Sequence, residues 1–175
     1  MSVFSPANVA RAIERIPRTD AATLRKWLDL GRREKLDPLV AACARELELR
    51  PVDLTADEAA KHADWSEGTR DMSLRSAIEY AFTQLSPRDY ELSVIEIIAR
   101  RPGVTYPELV SSHRKRDAAL ILGHCVYDRF GCLRHWAEGQ RRMSDILFVR
   151  DESGGPVRYG LTEEARAAFA ALGMI

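Results

Sequence analysis

The sequence is short of cysteine and of long apolar runs. Its three cysteines, Cys43, Cys125 and Cys132, form a sparse, odd-numbered set, which argues against a disulfide-stabilised scaffold and for a reducing compartment. No stretch approaches the roughly 18 apolar residues that a membrane-spanning helix needs. The first residues, MSVFSPANVARAIERIP, lack the apolar core of a secretory signal. We therefore expect a cytoplasmic protein with no membrane partner.

Common catalytic and cofactor motifs are also missing. The sequence has no P-loop, no dinucleotide-binding glycine fingerprint, no G-x-S-x-G and no H-E-x-x-H. We predict no catalytic residue, no metal and no cofactor. Three alternatives stay open: an enzyme whose site forms only on folding, a redox-sensing thiol at Cys132, and a metal site. The candidate metal ligands are His113, His124, Cys125, Cys132 and His135. Only Cys132 and His135 form a compact pair, whereas zinc sites usually combine two such pairs.

The chain has no net charge, since 26 basic residues balance 26 acidic ones. A uniformly basic nucleic-acid-binding surface is therefore excluded, but a local patch is not. Residues 100–142 hold nine Lys or Arg against four acids, together with three of the four histidines. Most basic residues are arginines, which suit phosphate contacts. The pattern predicts a local basic field in the second half of the chain.

The composition is that of an ordinary globular protein, with 46% hydrophobic and 30% charged residues in 175, and this length can bury a core. Helix-opening signals at Ser5–Pro6, at Thr19 or Asp20, and at Asp37–Pro38 predict a helical domain over residues 1–71. The segment Asp64–Thr69 is typical of a loop. A connecting helix is predicted over 72–85, capped by Ser73, and a second domain over 86–175.

The second half shows a clear order of elements. A helix over 86–101 is followed by a short one opening at Thr105-Tyr-Pro-Glu108, with a capping threonine and a glutamate three residues later. A longer helix is predicted over 117–130, ending at Gly131, and then a short strand over 132–136. Two apolar runs, 145–150 and 157–161, flank a Gly-Gly-Pro turn and predict a hairpin. Thr162 opens an Ala-rich final helix.

This order resembles the winged helix-turn-helix DNA-binding domains of bacterial regulators, over about residues 86–172. The resemblance rests on three segments: PGVTYPEL at 102–109, YDRFGCL at 127–133 and YGLTEE at 159–164. It implies a mainly α fold with a small β-hairpin wing. The third helix of such domains enters the major groove and the wing touches the neighbouring backbone or minor groove. No narrower family is indicated, and the N-terminal half matches none that we can name.

The resemblance implies a function and a site. We predict double-stranded DNA binding in transcriptional regulation, by a homodimer that contacts paired half-sites. The N-terminal domain, whose role the sequence does not give, could hold a protein partner or sense a ligand. The predicted DNA-binding residues lie at the two helix starts, on the third helix and beside the wing turn: Thr105, Tyr106, Arg114, Lys115, Arg116, His124, Tyr127, Arg150 and Arg158.

The faces of the third helix leave the mode of binding open. A rotation of 100° per residue gives one face for the core, on which Arg129 is expected to reach outward from the last turn. The core face holds Ala118, Leu122, Cys125, Val126 and Arg129. The opposite face carries few polar groups: Arg116, Leu120, Gly123, His124 and Tyr127. Either binding is mainly to backbone and DNA shape, or the winged helix is a protein-interaction module or adaptor.

Overall fold

The computed structural model describes residues 5–50, 53–112 and 118–175. These residues form ten α-helices and three short strands in one antiparallel sheet, so the prediction of a mainly helical protein is confirmed. The chain divides into two compact units, Met1–Glu67 and Gly68–Ile175. Residues 72–85, which were predicted to form a connecting helix, belong to the second unit. No helix in the described ranges is long and apolar enough to cross a membrane.

Four helices build the first unit: α1 (Pro6–Arg15), α2 (Ala21–Arg33), α3 (Asp37–Leu49) and α4 (Ala56–Thr69), which runs across the division between the units. Polar side chains open the first two, as predicted. The Ser5 hydroxyl accepts a hydrogen bond from the amide of Asn8, and the Asp20 carboxylate accepts one from the amide of Thr23. Such caps satisfy backbone donors that have no partner within the helix.

The core of the first unit lies where α1, α2 and α3 meet. Ile16, Leu24, Leu39 and Cys43 are buried there, with half-buried apolar neighbours around them. Residues 34–36 join α2 to α3, and Lys35 turns the chain with a φ of 56°. A Cβ at Gly31 would lie 2.9 Å from Cγ2 of Val40. Glycine at this position therefore lets the two helices approach closely.

The expected loop at Asp64–Thr69 is wrong, because α4 continues through this segment. Its start has a capping box: the Thr55 amide donates to the Glu58 carboxylate at 2.9 Å, and the Glu58 amide donates to the Thr55 hydroxyl at 3.3 Å. The polar residues do not stop the helix, since no proline removes a donor. Trp65 is only 8% exposed, and the Lys61 amine lies 4.5 Å from its ring centroid.

The second unit contains the other helices: α5 (Leu74–Gln84), α6 (Asp89–Arg100), α7 (Tyr106–Ser112), α8 (Ala118–Tyr127), α9 (Phe130–Ala137) and α10 (Glu163–Ala171). Ser73 caps α5, as predicted. Helices α5 and α10 pack together, with the rings of Phe82 and Phe169 edge to face at 4.9 Å. This contact lies in the apolar core of the unit.

Two predictions between 117 and 136 are wrong. The third helix of the pattern ends at Tyr127 instead of Phe130, and the segment predicted as a strand is the helix α9. A short apolar run does not distinguish a buried strand from a buried helix. Phe130, Cys132 and Leu133 are all buried, so the run reflects burial on most sides of α9 and not strand alternation.

The sheet contains the predicted hairpin and one further strand. β2 (Phe148–Asp151) pairs with β3 (Arg158–Leu161), and β3 also pairs with β1 (Val104–Thr105), which immediately precedes α7. All pairing is antiparallel, in the order β1-β3-β2. Thr162 then caps α10 by accepting from the amide of Ala165. The hairpin prediction is confirmed, whereas β1 was not anticipated.

Candidate nucleic-acid interface

The entry to α7 is a closed capping arrangement. The amide and the hydroxyl of Thr105 donate to Oε2 of Glu108 at 2.8 and 2.7 Å, and Arg101 also bonds to this carboxylate. These hydrogen bonds and the Arg101 charge lower the pKa of Glu108 to about 2. The expected role of Glu108 at this helix start is therefore confirmed. Because the Glu108 carboxylate already accepts from Thr105, we leave Thr105 out of the interface proposed below.

The backbone beside α7 is also engaged. The amide of Tyr106 donates to the carbonyl of Val157 at 3.0 Å, and the amide of Gly103 donates to the carbonyl of Tyr159 at 2.8 Å. These bonds flank the short β1–β3 ladder. The Tyr106 side chain is half-buried. The two backbone hydrogen bonds and the ladder fix the start of α7 to the hairpin.

The central basic cluster of the prediction lies outside the described residues. Arg114, Lys115 and Arg116 fall between α7 and α8, in the gap from 113 to 117. The structure therefore gives the elements on both sides of the cluster but not its contacts. Its placement at the junction of two helices follows from the chain order alone.

The described end of α8 presents two polar side chains, His124 and Tyr127, both half-buried. Their rings lie 6.1 Å apart, edge to face. His124 Nδ1 is 3.8 Å from Oδ1 of Asp128, and the other oxygen of Asp128 is 3.0 Å from the Arg88 guanidinium. An acid thus sits between two potential cations. On the core side Leu122, Cys125 and Val126 are buried, as predicted.

The expectation that Arg129 reaches outward is wrong, because its side chain is only 1% exposed. Nη2 lies 3.1 Å from Oε2 of Glu91, which is equally buried. Nε donates to the carbonyl of Leu85 at 2.8 Å, and Nη1 donates to that of Cys125 at 3.0 Å. The guanidinium also lies 4.1 Å from the Phe82 ring centroid. A buried cation persists when it is paired and fully hydrogen-bonded.

The two predicted wing arginines differ in their surroundings. The Arg150 guanidinium bonds to the Asp145 carboxylate and to the Ser144 hydroxyl, and its side chain is 10% exposed. Because its charge is already paired with a carboxylate of the protein, we leave Arg150 out of the proposed interface. Arg158 is exposed on β3, opposite Asp151 in the ladder.

Two further arginines precede the hairpin in the chain. Arg141 and Arg142 both lie near the Glu152 carboxylate, at 3.4 and 3.0 Å.

The cysteines and histidines do not assemble into a metal site within the described ranges. No three His, Cys, Asp or Glu side chains come together there. Cys43, Cys125 and Cys132 are buried free thiols, and burial raises the pKa of the Cys125 thiol. A thiol that senses oxidants needs exposure and a depressed pKa. Cys132 has no exposed surface, so it does not have the exposure that such a thiol needs.

A pocket of about 360 Å³ lies in the first unit, beside the starts of α2 and α4. Its two carboxylates already have partners. Asp20 accepts from the amide and the hydroxyl of Thr23, both at 2.7 Å, and Asp53 lies 3.2 Å from the Arg25 guanidinium. These contacts give both acids a structural role, in capping and in ion pairing.

Sequence reasoning missed the ion pair between Arg129 and Glu91, whose two charged side chains are buried in the second unit. The one available signal was that the helical periodicity placed Arg129 on the core face.

Comparison with protein-family models, with curated proteins and with solved structures finds no match for this chain.

Proposed function

We propose that the protein binds double-stranded DNA through a winged helix-turn-helix formed by residues 86–175, and that it acts in transcriptional control. One observation carries the proposal. Helices α6, α7 and α8 are followed by a hairpin and a last helix, and β1 pairs with the hairpin directly ahead of α7. The hairpin therefore lies next to the strand that precedes the short helix, which supports the resemblance. Helix α9 is an addition to that pattern.

The sheet supports the proposal through rigidity. Residues 103–106 are bonded to 157–159 by the ladder and by the two flanking backbone bonds. A hairpin fixed in this way can meet the DNA backbone at a set distance from the helix that enters the groove. Arg158 lies on this rim and is exposed. It is the wing cation to which we assign a phosphate contact.

The principal contacts are assigned to Arg114, Lys115 and Arg116, between α7 and α8. Three consecutive cations there can meet the phosphates of one strand. His124 and Tyr127 are assigned to base edges. Because α8 offers so few polar side chains, binding is expected to depend mainly on the backbone and shape of the duplex. A homodimer would place two such modules on paired half-sites.

The face of α8 also supports a second candidate, a winged-helix module that binds a protein instead of DNA. Asp128 lies beside His124 and is itself paired with Arg88. An acid at the end of a groove-entering helix repels phosphate, whereas it fits a protein interface with a polar rim. The two candidates differ in what the basic cluster contacts, and this difference can be measured.

The test is the double substitution Arg114→Ala with Arg116→Ala, in the full chain, titrated with random-sequence duplex DNA at several salt concentrations. Loss of two phosphate contacts should weaken binding to every duplex and reduce the salt slope by about two. The matched control is Arg75→Ala with Arg100→Ala, which removes two exposed, ion-paired cations of the same unit. Unchanged DNA affinity in the 114/116 variant, with loss of a protein partner, would favour the adaptor.

A further inference from the structure

The first unit contains several exposed cations in its first three dozen residues. Exposed arginines of the second unit such as Arg88 and Arg101 lie within 4.0 Å of a carboxylate. Among the residues that the structure describes, several exposed cations of α1, α2 and the turn after α2 have no carboxylate within that distance: Arg11, Arg15, Lys26, Arg33 and Lys35. Five such cations therefore fall between residues 11 and 35, although the first unit as a whole has 11 basic and 12 acidic residues.

The solvent face of α2 brings two of them into line. Lys26 and Arg33 are seven residues apart, so they lie about 20° apart around the helix and about 10.5 Å apart along it. Arg25 and Arg32 border the same face. The opposite side of α2 is core, where Leu24 and Gly31 are buried. The helix therefore holds its cations on a rigid support.

The carboxylates near this face compete only weakly. Arg25 lies 3.2 Å from Asp53, and Arg32 lies 3.8 Å from Asp29, in pairs whose four side chains are about half to three-quarters exposed. Exposed pairs of this kind contribute about 0–1 kcal/mol. A phosphate can therefore displace them at little cost.

The helix dipole does not explain the whole arrangement. It favours cations in the last turn of a helix, which accounts for Arg32 and Arg33 but not for Lys26, two turns earlier. The charges are also segregated along the unit. Residues 11–35 hold eight basic and four acidic residues, whereas 37–67 hold three basic and eight acidic ones.

We propose that the solvent face of α2 is a second surface for the phosphate backbone of nucleic acid, separate from the winged helix. The composition of this face favours a phosphate backbone over a protein. Its residues are Ala22, Arg25, Lys26, Asp29, Arg32 and Arg33, and none of them is an aromatic or large apolar residue of the kind that forms the core of protein interfaces. Phosphate contacts require only cations at a suitable spacing. The surface carries no sequence information and adds affinity for any duplex.

The experiment measures the binding of random-sequence duplex DNA to the full chain by fluorescence anisotropy, between about 50 and 200 mM salt. The variant is Lys26→Gln with Arg33→Gln. The matched control is Arg11→Gln with Arg15→Gln, which removes two exposed cations from α1. We expect the α2 variant to reduce the salt slope by about two and the control to leave it unchanged. An unchanged slope in the α2 variant, or an equal loss in the control, would overturn the proposal.

The same variants in a chain with Arg114→Gln, Lys115→Gln and Arg116→Gln separate this surface from the winged helix. Residual binding that the α2 substitutions abolish would support the second surface even if the 114–116 cluster contributes nothing. Full loss through 114–116 alone, with no effect of the α2 variant, would overturn this inference and leave the proposed function intact. A wild-type chain that binds no duplex at all would overturn both.

Discussion

The Arg129 guanidinium lies 3.1 Å from the Glu91 carboxylate, with 1% of each side chain exposed. Arg129 also donates to the carbonyls of Leu85 and Cys125, and Glu91 accepts at 2.9 Å from the amide of Arg88 at the start of α6. One buried pair therefore ties together the end of α5, the start of α6 and the last turn of α8. It fixes the position of the helix that we assign to the duplex.

Substituting Arg129→Met should destabilise the protein by about 3–5 kcal/mol, because it leaves the buried Glu91 carboxylate without its counter-charge. Urea unfolding followed by circular dichroism measures the change. Arg75→Met is the control: Arg75 pairs with Glu79 on the surface at 2.8 Å, and its loss should change stability by less than about 1 kcal/mol.

The double variant Glu91→Leu with Arg129→Met should cost less than the sum of the two single variants, since neither charge is then left alone. Additive costs, or a cost for Arg129→Met as small as that for Arg75→Met, would show that the pair does not act as a unit.

The Glu108 carboxylate should make stability acid-sensitive. Its pKa is lowered from 4.5 to about 2 by the bonds from Thr105 and Arg101, so the folded state binds a proton less readily than the unfolded state. The stabilisation is present above about pH 4.5 and is lost as the pH falls towards 2. A carbon-detected NMR titration of Glu108 and urea midpoints at several pH values measure the two sides of this linkage.

Glu108→Gln supplies the control, because an amide still accepts from Thr105 but does not titrate. We expect the variant to lose less stability than the wild type between pH 4.5 and 2. Parallel acid profiles for the two proteins would contradict the assignment.

The threonine of the segment YGLTEE joins the sheet to the last helix. The Thr162 hydroxyl accepts from the amide of Ala165 and donates to the carbonyl of Ile146 at 3.0 Å. Thr162→Ala should therefore cost about 1–2 kcal/mol, the upper part of the range for a lost cap. Thr162→Ser keeps both bonds and should cost much less. Equal thermal midpoints for wild type and Thr162→Ala would argue against this role.

Local signals in the sequence predicted the helix starts and the hairpin well. A cap depends on residues three apart, and Ser5, Thr55, Thr105 and Thr162 each show their capping chemistry in the sequence itself. The hairpin was equally local, since two apolar runs flank a glycine-containing turn.

The failures concern long-range packing. Helix α9 was predicted as a strand because its short apolar run fits either element. The run is helical in the structure, where it packs against α5, and this contact could not be inferred from the run itself. Arg129 was expected at the surface because arginines seldom lie fully buried. Its partner Glu91 is 38 residues away, and no local pattern joins the two positions.

The most direct test of DNA binding is the salt dependence of the affinity of the unmodified full chain for a random-sequence duplex. If Arg114, Lys115 and Arg116 each contact a phosphate, the logarithm of the binding constant should fall with the logarithm of salt concentration, with a slope of at least about three. A chain that fails to bind at about 50 mM salt, or whose affinity does not change with salt, would contradict the account.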